Sequence, residues 1–291
     1  MQVVQTVSDV RRIRRELKGT WGLVPTMGFL HAGHISLVER ARRENDHVGV
    51  SIFVNPTQFA PTEDLAAYPR DLERDLRLLD EAGADLVWVP PVEEVYPAGY
   101  QTYVTVEEVA RPLEGAARPT HFRGVATVVA KLFNVFQPDR AYFGQKDAQQ
   151  AVVIKQMVRD LDFLLEVIVC PIVREPDGLA LSSRNVYLTP EQRTAAPVLN
   201  RALRAARDAW AAGEHDGEHL RGIMRSVLNA EPLARTDYVS AADPTTLTEL
   251  GNASNGVLLS MAVRVGRARL IDNMLLKPPS PSRQLSGRER D

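Results

Sequence analysis

From Trp21 to about Val173, short apolar runs alternate with longer stretches whose apolar residues recur at helical spacing. That alternation predicts a parallel sheet with crossover helices, a doubly wound α/β arrangement. The apolar runs place strands at residues 21–24, 48–54, 85–89, 141–144 and 166–170, and the helical spacing places helices at 35–44, 70–81, 124–136 and 148–161. A short amphipathic helix over 8–17, with Ser8 as its cap, precedes them. After Asn185 the texture changes: Thr189, Pro190 and Gln192 form a capping-box start for an Ala/Arg-rich helix running to about Ala212. A helix at 218–229 follows, then strands at 236–240, 257–265 and 268–275 with a tight turn at Gly266 and Arg267, a smaller α+β unit. The expected division is 1–174, 175–276 and a tail, 277–291, whose Pro, Ser and charged residues predict disorder.

Composition narrows the function classes. Of 291 residues, 44% are apolar and 25% charged, which excludes wholesale disorder and a fibrous fold. Lys plus Arg number 35 against 37 Asp plus Glu, a net charge of -2, so no global basic field draws nucleic acid or anionic lipid. An anionic ligand must then be held by a local site. Apolar stretches such as 256–265 fall well short of the roughly 20 residues of a spanning helix, so neither a membrane nor a nucleic acid is expected as partner. The single Cys170 can neither close an intrachain disulfide nor complete a Cys-rich zinc cluster, which fits a reducing cytoplasm. Four arginines near the start (Arg11, Arg12, Arg14, Arg15) are followed by Glu16 and no long apolar core, which argues against a targeting peptide.

Ligands of doubly wound sheets bind beyond the carboxyl ends of the strands, so the loops beginning near Pro25, Asn55, Gly144 and Val173 are the places to look. The first reads Met27-Gly28-Phe29-Leu30-His31-Ala32-Gly33-His34 between a strand and a helix. Two imidazoles three residues apart at a helix start share a face with the free N–H groups and positive dipole end that favour phosphate. Gly33 lets a ligand approach the backbone. Capping histidines and a zinc pair are the rival readings, the second lacking any Cys, Asp or Glu at ligand spacing. In Gly144-Gln145-Lys146-Asp147, Lys146 suits phosphate and Asp147 a ribose, although alone the turn reads equally as a helix start capped by Asp147. Leu181-Ser182-Ser183-Arg184-Asn185 suits a loop closing on phosphate oxygens, or an ordinary linker. Gln58, in Asn55-Pro56-Thr57-Gln58-Phe59, offers an amide to a carboxylate or hydroxyl substrate. Asp75 faces either the site or solvent, and His121 and Arg123 either touch ligand or cap and pack.

The ordered set, extended by Tyr68-Pro69-Arg70 and Thr120-His121-Phe122-Arg123-Gly124, resembles the pantothenate synthetase family over about residues 1–276. The resemblance implies a Rossmann-like first domain and ATP-dependent condensation of pantoate with β-alanine through a pantoyl-adenylate, releasing AMP and pyrophosphate. It also implies Mg²⁺ and a homodimer. By motif, residues Met27 to His34 match the first ATP-binding element, with His34 as proton donor beside His31. Gly144, Gln145, Lys146 and Asp147 match the second, Val173 a backbone contact to adenine, and Leu181, Ser182, Ser183 and Arg184 the mobile phosphate-closing loop. Gln58 and Gln150 match the pantoate-holding glutamines, and Asp75 an acidic position near the metal. His31, His34, Lys146, Arg184 and Mg²⁺ are then expected to stabilise charge on the phosphoryl oxygens as positioned cations. Four positions depart from the family pattern: Thr57 and Leu181 where Met is common, Gln145 where Glu is common, and Ala148 where an aromatic is common. Two rivals stay open, a transferase that adenylylates a phosphorylated substrate and a non-catalytic nucleotide sensor.

Overall fold

A computed structural model of the chain describes residues 1–59, 65 and 68–278. The larger sheet is laid down in the order β1 (Gln2–Val4), α1 (Val7–Glu16), β2 (Trp21–Thr26), α2 (Ala32–Glu44), β3 (His47–Ile52), α3 (Leu72–Glu81) and β4 (Leu86–Trp88). Two single-turn helices, α4 (Val92–Val95) and α5 (Glu114–Ala117), lead to α6 (His121–Phe136), β5 (Arg140–Gly144), α7 (Ala148–Asp160) and β6 (Glu166–Cys170). All pairings are parallel and the spatial order is β1-β4-β3-β2-β5-β6. The chain builds outward from β2 through β3 to β4, then returns to lay β5 on the other flank of β2. The crevice of this sheet therefore opens between the loops that leave β2 and β5.

Side-chain alternation explains why both faces are covered. Trp21 and Leu23 of β2 point into one core with Val10 and Ile13 of α1, Phe133 of α6 and Ile154 and Met157 of α7. Val24 and the Val48, Val50 and Ile52 side of β3 point into the opposite core, where α2 supplies Leu37, Val38 and Ala41 and α3 supplies Leu79. Strands buried on both faces read as continuous apolar runs, which is why they were legible in the sequence.

The smaller unit comprises α8 (Pro190–Ala195), α9 (Val198–Ala211), α10 (Gly217–Asn229) and an antiparallel sheet of β7 (Ala234–Ala242), β8 (Val257–Val265) and β9 (Ala268–Leu276). Leu199, Leu203, Leu220 and Met224 pack on Leu259, Met261 and Val263 to form its core. The capping box at Thr189 and Gln192 forms as expected, but the helix after it breaks where Pro197 offers no N–H to continue the ladder. At the other end α1 starts one residue earlier than expected. Thr6, in extended backbone, takes the Asp9 N–H on its hydroxyl in place of Ser8. No helix among the described residues is long and apolar enough to cross a membrane. Residues 279–291, most of the tail expected to be disordered, lie outside the described residues.

Candidate active site

The loops leaving β2, β3, β5 and β6 enclose a cavity of about 230 Å³ at the carboxyl end of the large sheet. Met27, His31, Gly33 and His34 line it from the first loop, and Gly144, Lys146, Asp147 and Gln150 from the loop and helix after β5. Val173, Leu181, Ser182, Ser183 and Arg184 close the third side, while Gln58 comes from the turn after β3. Among the described residues three cations, Arg118, Lys146 and Arg184, line the cavity with one carboxylate, Asp147, so their sum is positive in a chain that is slightly acidic overall. Val125, Val128, Val129 and Leu132 of α6 supply an apolar wall.

The two histidines are organised by the helix they begin. His31 is the cap of α2, its Nδ1 accepting the Gly33 N–H at 3.1 Å, and His34 Nδ1 accepts the His31 N–H at 3.3 Å. Imidazoles thus take the places of the hydroxyl and carboxylate of an ordinary capping box. With both Nδ1 atoms accepting, each neutral ring must carry its proton on Nε2. Gly33 serves this pair more than a ligand: a Cβ there would lie 2.8 Å from His31 Cε1. Burial, with Lys146 adding to it, lowers the His31 pKa from 6.5 to about 4; burial and His31 lower that of His34 to about 3. At neutral pH the free protein therefore presents two neutral N–H donors here, where the residue types alone suggested cations.

A stability change with pH follows. Above 6.5 the histidines are neutral in both folded and unfolded chains; below it the unfolded chain binds protons that the fold refuses. Stability therefore falls as pH drops from 6.5 towards 4, by an expected 1–2 kcal/mol or so per histidine at pH 5. Urea midpoints of the parent and of His34→Gln at pH 7 and pH 5 test this. The variant should lose distinctly less stability between the two pH values, and parallel losses would refute the assignment.

Asp75 has a role that neither expectation named. It is 1% exposed, so it does not face solvent, and it does not line the cavity. Its two oxygens accept the Phe29 and Leu30 N–H groups, each at 2.7 Å, while Arg74 beside it donates to the Leu30 carbonyl at 2.8 Å. Phe29 is held there at a φ of 51°, after Gly28 at 82°. A carboxylate with both oxygens committed to the loop is a brace for it. Asp75→Asn would set an NH₂ against one of those N–H groups. The expected cost is about 1.5–3 kcal/mol, the worth of a hydrogen bond to a charged acceptor. Unchanged urea stability would remove the brace from the account.

Other expectations need the same sorting. Gly28, Phe29, Leu30 and Ala32 shape the loop but do not line the cavity, and Leu30 is 1% exposed in the core. Gln145 also stays out of the lining: its Nε2 donates to Asn273 Oδ1 of β9 at 2.9 Å. Asp147 precedes α7 but makes no capping hydrogen bond. Burial opposes its ionisation, yet Lys146 and Arg184 outweigh that and hold its pKa below the usual carboxylate value. The Val173 carbonyl accepts the Leu181 N–H at 3.0 Å, which joins the residue expected at adenine to the loop expected at phosphate. His121 lines the cavity, whereas Arg123 stacks on Tyr103 at 3.7 Å. Arg118 was missed, because a lone Arg before a turn carries no local pattern; folding sets it and His121 against the Gln58 carbonyl at 3.4 and 2.9 Å.

A family model described as Pantoate-beta-alanine ligase matches residues 2–275. A pantothenate synthetase of Roseiflexus sp. (strain RS-1) is 62% identical over 277 residues, 95% of this chain and 100% of that one. Among solved structures, pantothenate synthetase from Thermus thermophilus superposes with a TM-score of 0.91 at 53% identity, covering 96% of this chain and 100% of the other. Pantoate-beta-alanine ligase from Francisella tularensis, complexed with beta-gamma ATP and beta-alanine, superposes at 0.78 with 37% identity, covering 94% and 97%. The likeness runs through both sheets and every loop of the cavity, and on it the chain belongs to the pantoate-beta-alanine ligase family.

Proposed function

We propose that the cavity between the β2 and β5 loops houses both bond changes of this enzyme, an ATP-dependent ligase of pantoate and β-alanine. The observation that carries the reading is the imidazole capping box, which fixes two imidazoles, each with its proton on Nε2, at a helix N-terminus that lines a cavity with Lys146 and Arg184. In the first step a pantoate carboxylate oxygen bonds to the α-phosphorus of ATP, the bond to the β-phosphate bridge breaks, and pyrophosphate leaves. Charge gathers on phosphoryl oxygens, where preset N–H donors and cations act without reorganising. His31 and His34 supply the first, Lys146 and Arg184 the second. In the second step the amine of β-alanine bonds to the acyl carbon, AMP leaves, and holding the reactants together is the main requirement.

Gln58 and Gln150 beside the apolar α6 wall suit a branched hydroxy acid, with amides for its oxygens and valines for its carbon skeleton. Gln58 is fixed, donating to Met27 Sδ and accepting from Asn55 Nδ2, while the Gln150 side chain makes no hydrogen bond among the described residues and is available to substrate. Val173, which lines the cavity, is the residue to which this reading gives the adenine contact. Mg²⁺ fits as an ion carried on phosphates and water: Asp147 is the only carboxylate lining the cavity among the described residues, and no cluster of three metal-binding side chains occurs among them. Held by Asp147 and ATP oxygens, it would neutralise phosphate charge. The reading keeps the division near residue 174, a cytoplasmic location and a homodimer, the last tested by sedimentation of the purified chain.

The deciding assay measures AMP and pyrophosphate from ATP and Mg²⁺ with pantoate and β-alanine together, singly or absent. AMP release that needs both acids, with pantothenate formed, is expected. Pyrophosphate release without any use of β-alanine would favour a transferase that stops at the adenylate, and none under any condition would favour a nucleotide sensor.

A further inference from the structure

The turn Gln145–Asp147, which carries Lys146, has little holding it from within. Neither Gly144 at its start nor Asp147 at the start of α7 makes a side-chain capping hydrogen bond. The restraint comes from the other sheet. Asn273 of β9 is 3% exposed, and its Nδ2 donates to the Gln145 carbonyl at 2.9 Å and the Lys146 carbonyl at 3.0 Å. Its Oδ1 accepts from Gln145 Nε2 at 2.9 Å, which fixes the orientation of the amide, since a flipped one would set oxygen against two carbonyls. Both amide protons are thereby used. Among the described residues these are the only side-chain hydrogen bonds to the backbone of this turn.

Period-two alternation places Asn273 with purpose. Arg269, Ile271, Asn273 and Leu275 share the face of β9 opposite Leu270 and Met274, which pack into the small unit's core. Four residues before Asn273, Arg269 makes a bidentate pair with Glu114 at 2.6 and 2.9 Å, a second contact between the units that includes no hydrogen bond to the Lys146 turn.

We propose that Asn273 is a positioning residue for adenylation: it holds the backbone of Gln145 and Lys146 so that the Lys146 ammonium sits at the transferring phosphate. The proposal rests on the role given to Lys146 above. Losing the clamp lets the turn shift, and a displacement near 1 Å at a reacting group costs about a hundredfold in rate. Aminolysis of the adenylate makes and breaks its bonds at the acyl carbon, and of the phosphoryl oxygens only the one leaving with AMP gains charge, so it should feel the shift far less.

The test compares parent, Asn273→Ala, Asn273→Asp, Arg269→Gln and Lys146→Ala in two assays. One measures pantoate-dependent pyrophosphate release in a single turnover, the other the aminolysis of synthetic pantoyl-adenylate by β-alanine. Asn273→Asp is isosteric, keeps the acceptor for Gln145 and removes both donors, so it reads the clamp even if alanine there fails to fold. Both Asn273 variants are expected to slow pyrophosphate release by about ten- to a hundredfold and aminolysis by less than about threefold. Arg269→Gln should lower thermal stability without changing the ratio of the two rates. Equal slowing of both steps, or the same ratio as Arg269→Gln, would make Asn273 a latch between units and overturn the proposal. Undiminished pyrophosphate release by Lys146→Ala would instead remove the role of Lys146 itself, and the proposal with it.

Discussion

Alanine at position 34 is expected to cut AMP formation by about a hundredfold or more with the fold intact, since one preset donor to a developing anion is worth about 10²–10³ in rate. His34→Ala removes the Nε2–H and also the acceptor for the His31 N–H, so His31 loses the contact that orients the start of its helix. The loss of a cap costs about 1 kcal/mol, small beside the catalytic effect. The two effects separate with pH. A His34 that remains neutral in the fold destabilises the parent in acid, so the stability deficit of the variant should narrow from pH 7 to pH 5. Single-turnover pyrophosphate release and urea melts at both pH values measure the pair, and parental turnover would take His34 out of the mechanism.

Alanine at position 124 is the second large effect, and it runs against helix propensity. Inside a helix Gly→Ala ordinarily gains about 0.8–1.0 kcal/mol. At Gly124 of α6, however, a Cβ would lie 2.4 Å from the Thr57 carbonyl oxygen and 2.6 Å from the Gln58 nitrogen, backbone atoms that cannot swing aside. Overpacking of this kind costs about 1–3 kcal/mol, so the sign reverses. The greater damage is to function. The Gly124 carbonyl accepts from Asn55 Nδ2, and Asn55 also holds Gln58 Oε1 and Thr57, so a shift of this turn carries Gln58 away from its substrate. A displacement near 1 Å predicts a loss of about a hundredfold in kcat/KM for pantoate. Gly222→Ala in α10, where nothing lies within 4 Å, is the matched control. It should stabilise the chain by about 0.4–1 kcal/mol with activity unchanged. Parental pantoate kinetics in Gly124→Ala would sink the close-approach argument.

Both effects trace back to features with different visibility in the sequence. The histidine pair was legible because its physics is local: strand end, loop and helix start lie within about a dozen residues, and capping needs only those residues. The same holds for the Thr189 and Gln192 box, for the turn at Gly266, and for strands announced by continuous apolar runs. Tertiary structure decided everything that depends on neighbours distant in the chain. Whether His31 and His34 are charged turned on burial and on Lys146, 112 or more residues away. Asp75 reads as facing either the site or solvent until α3 packs against α2, whereupon it lies under the Phe29 and Leu30 amides, 46 and 45 residues upstream. Gln145 reads as a site residue until β9 arrives with Asn273, 128 residues later. Hydrophobic period and cap chemistry are short-range and write themselves into consecutive residues; desolvation, charge coupling and shared hydrogen bonds depend on distance in space, and only the folded chain sets that distance.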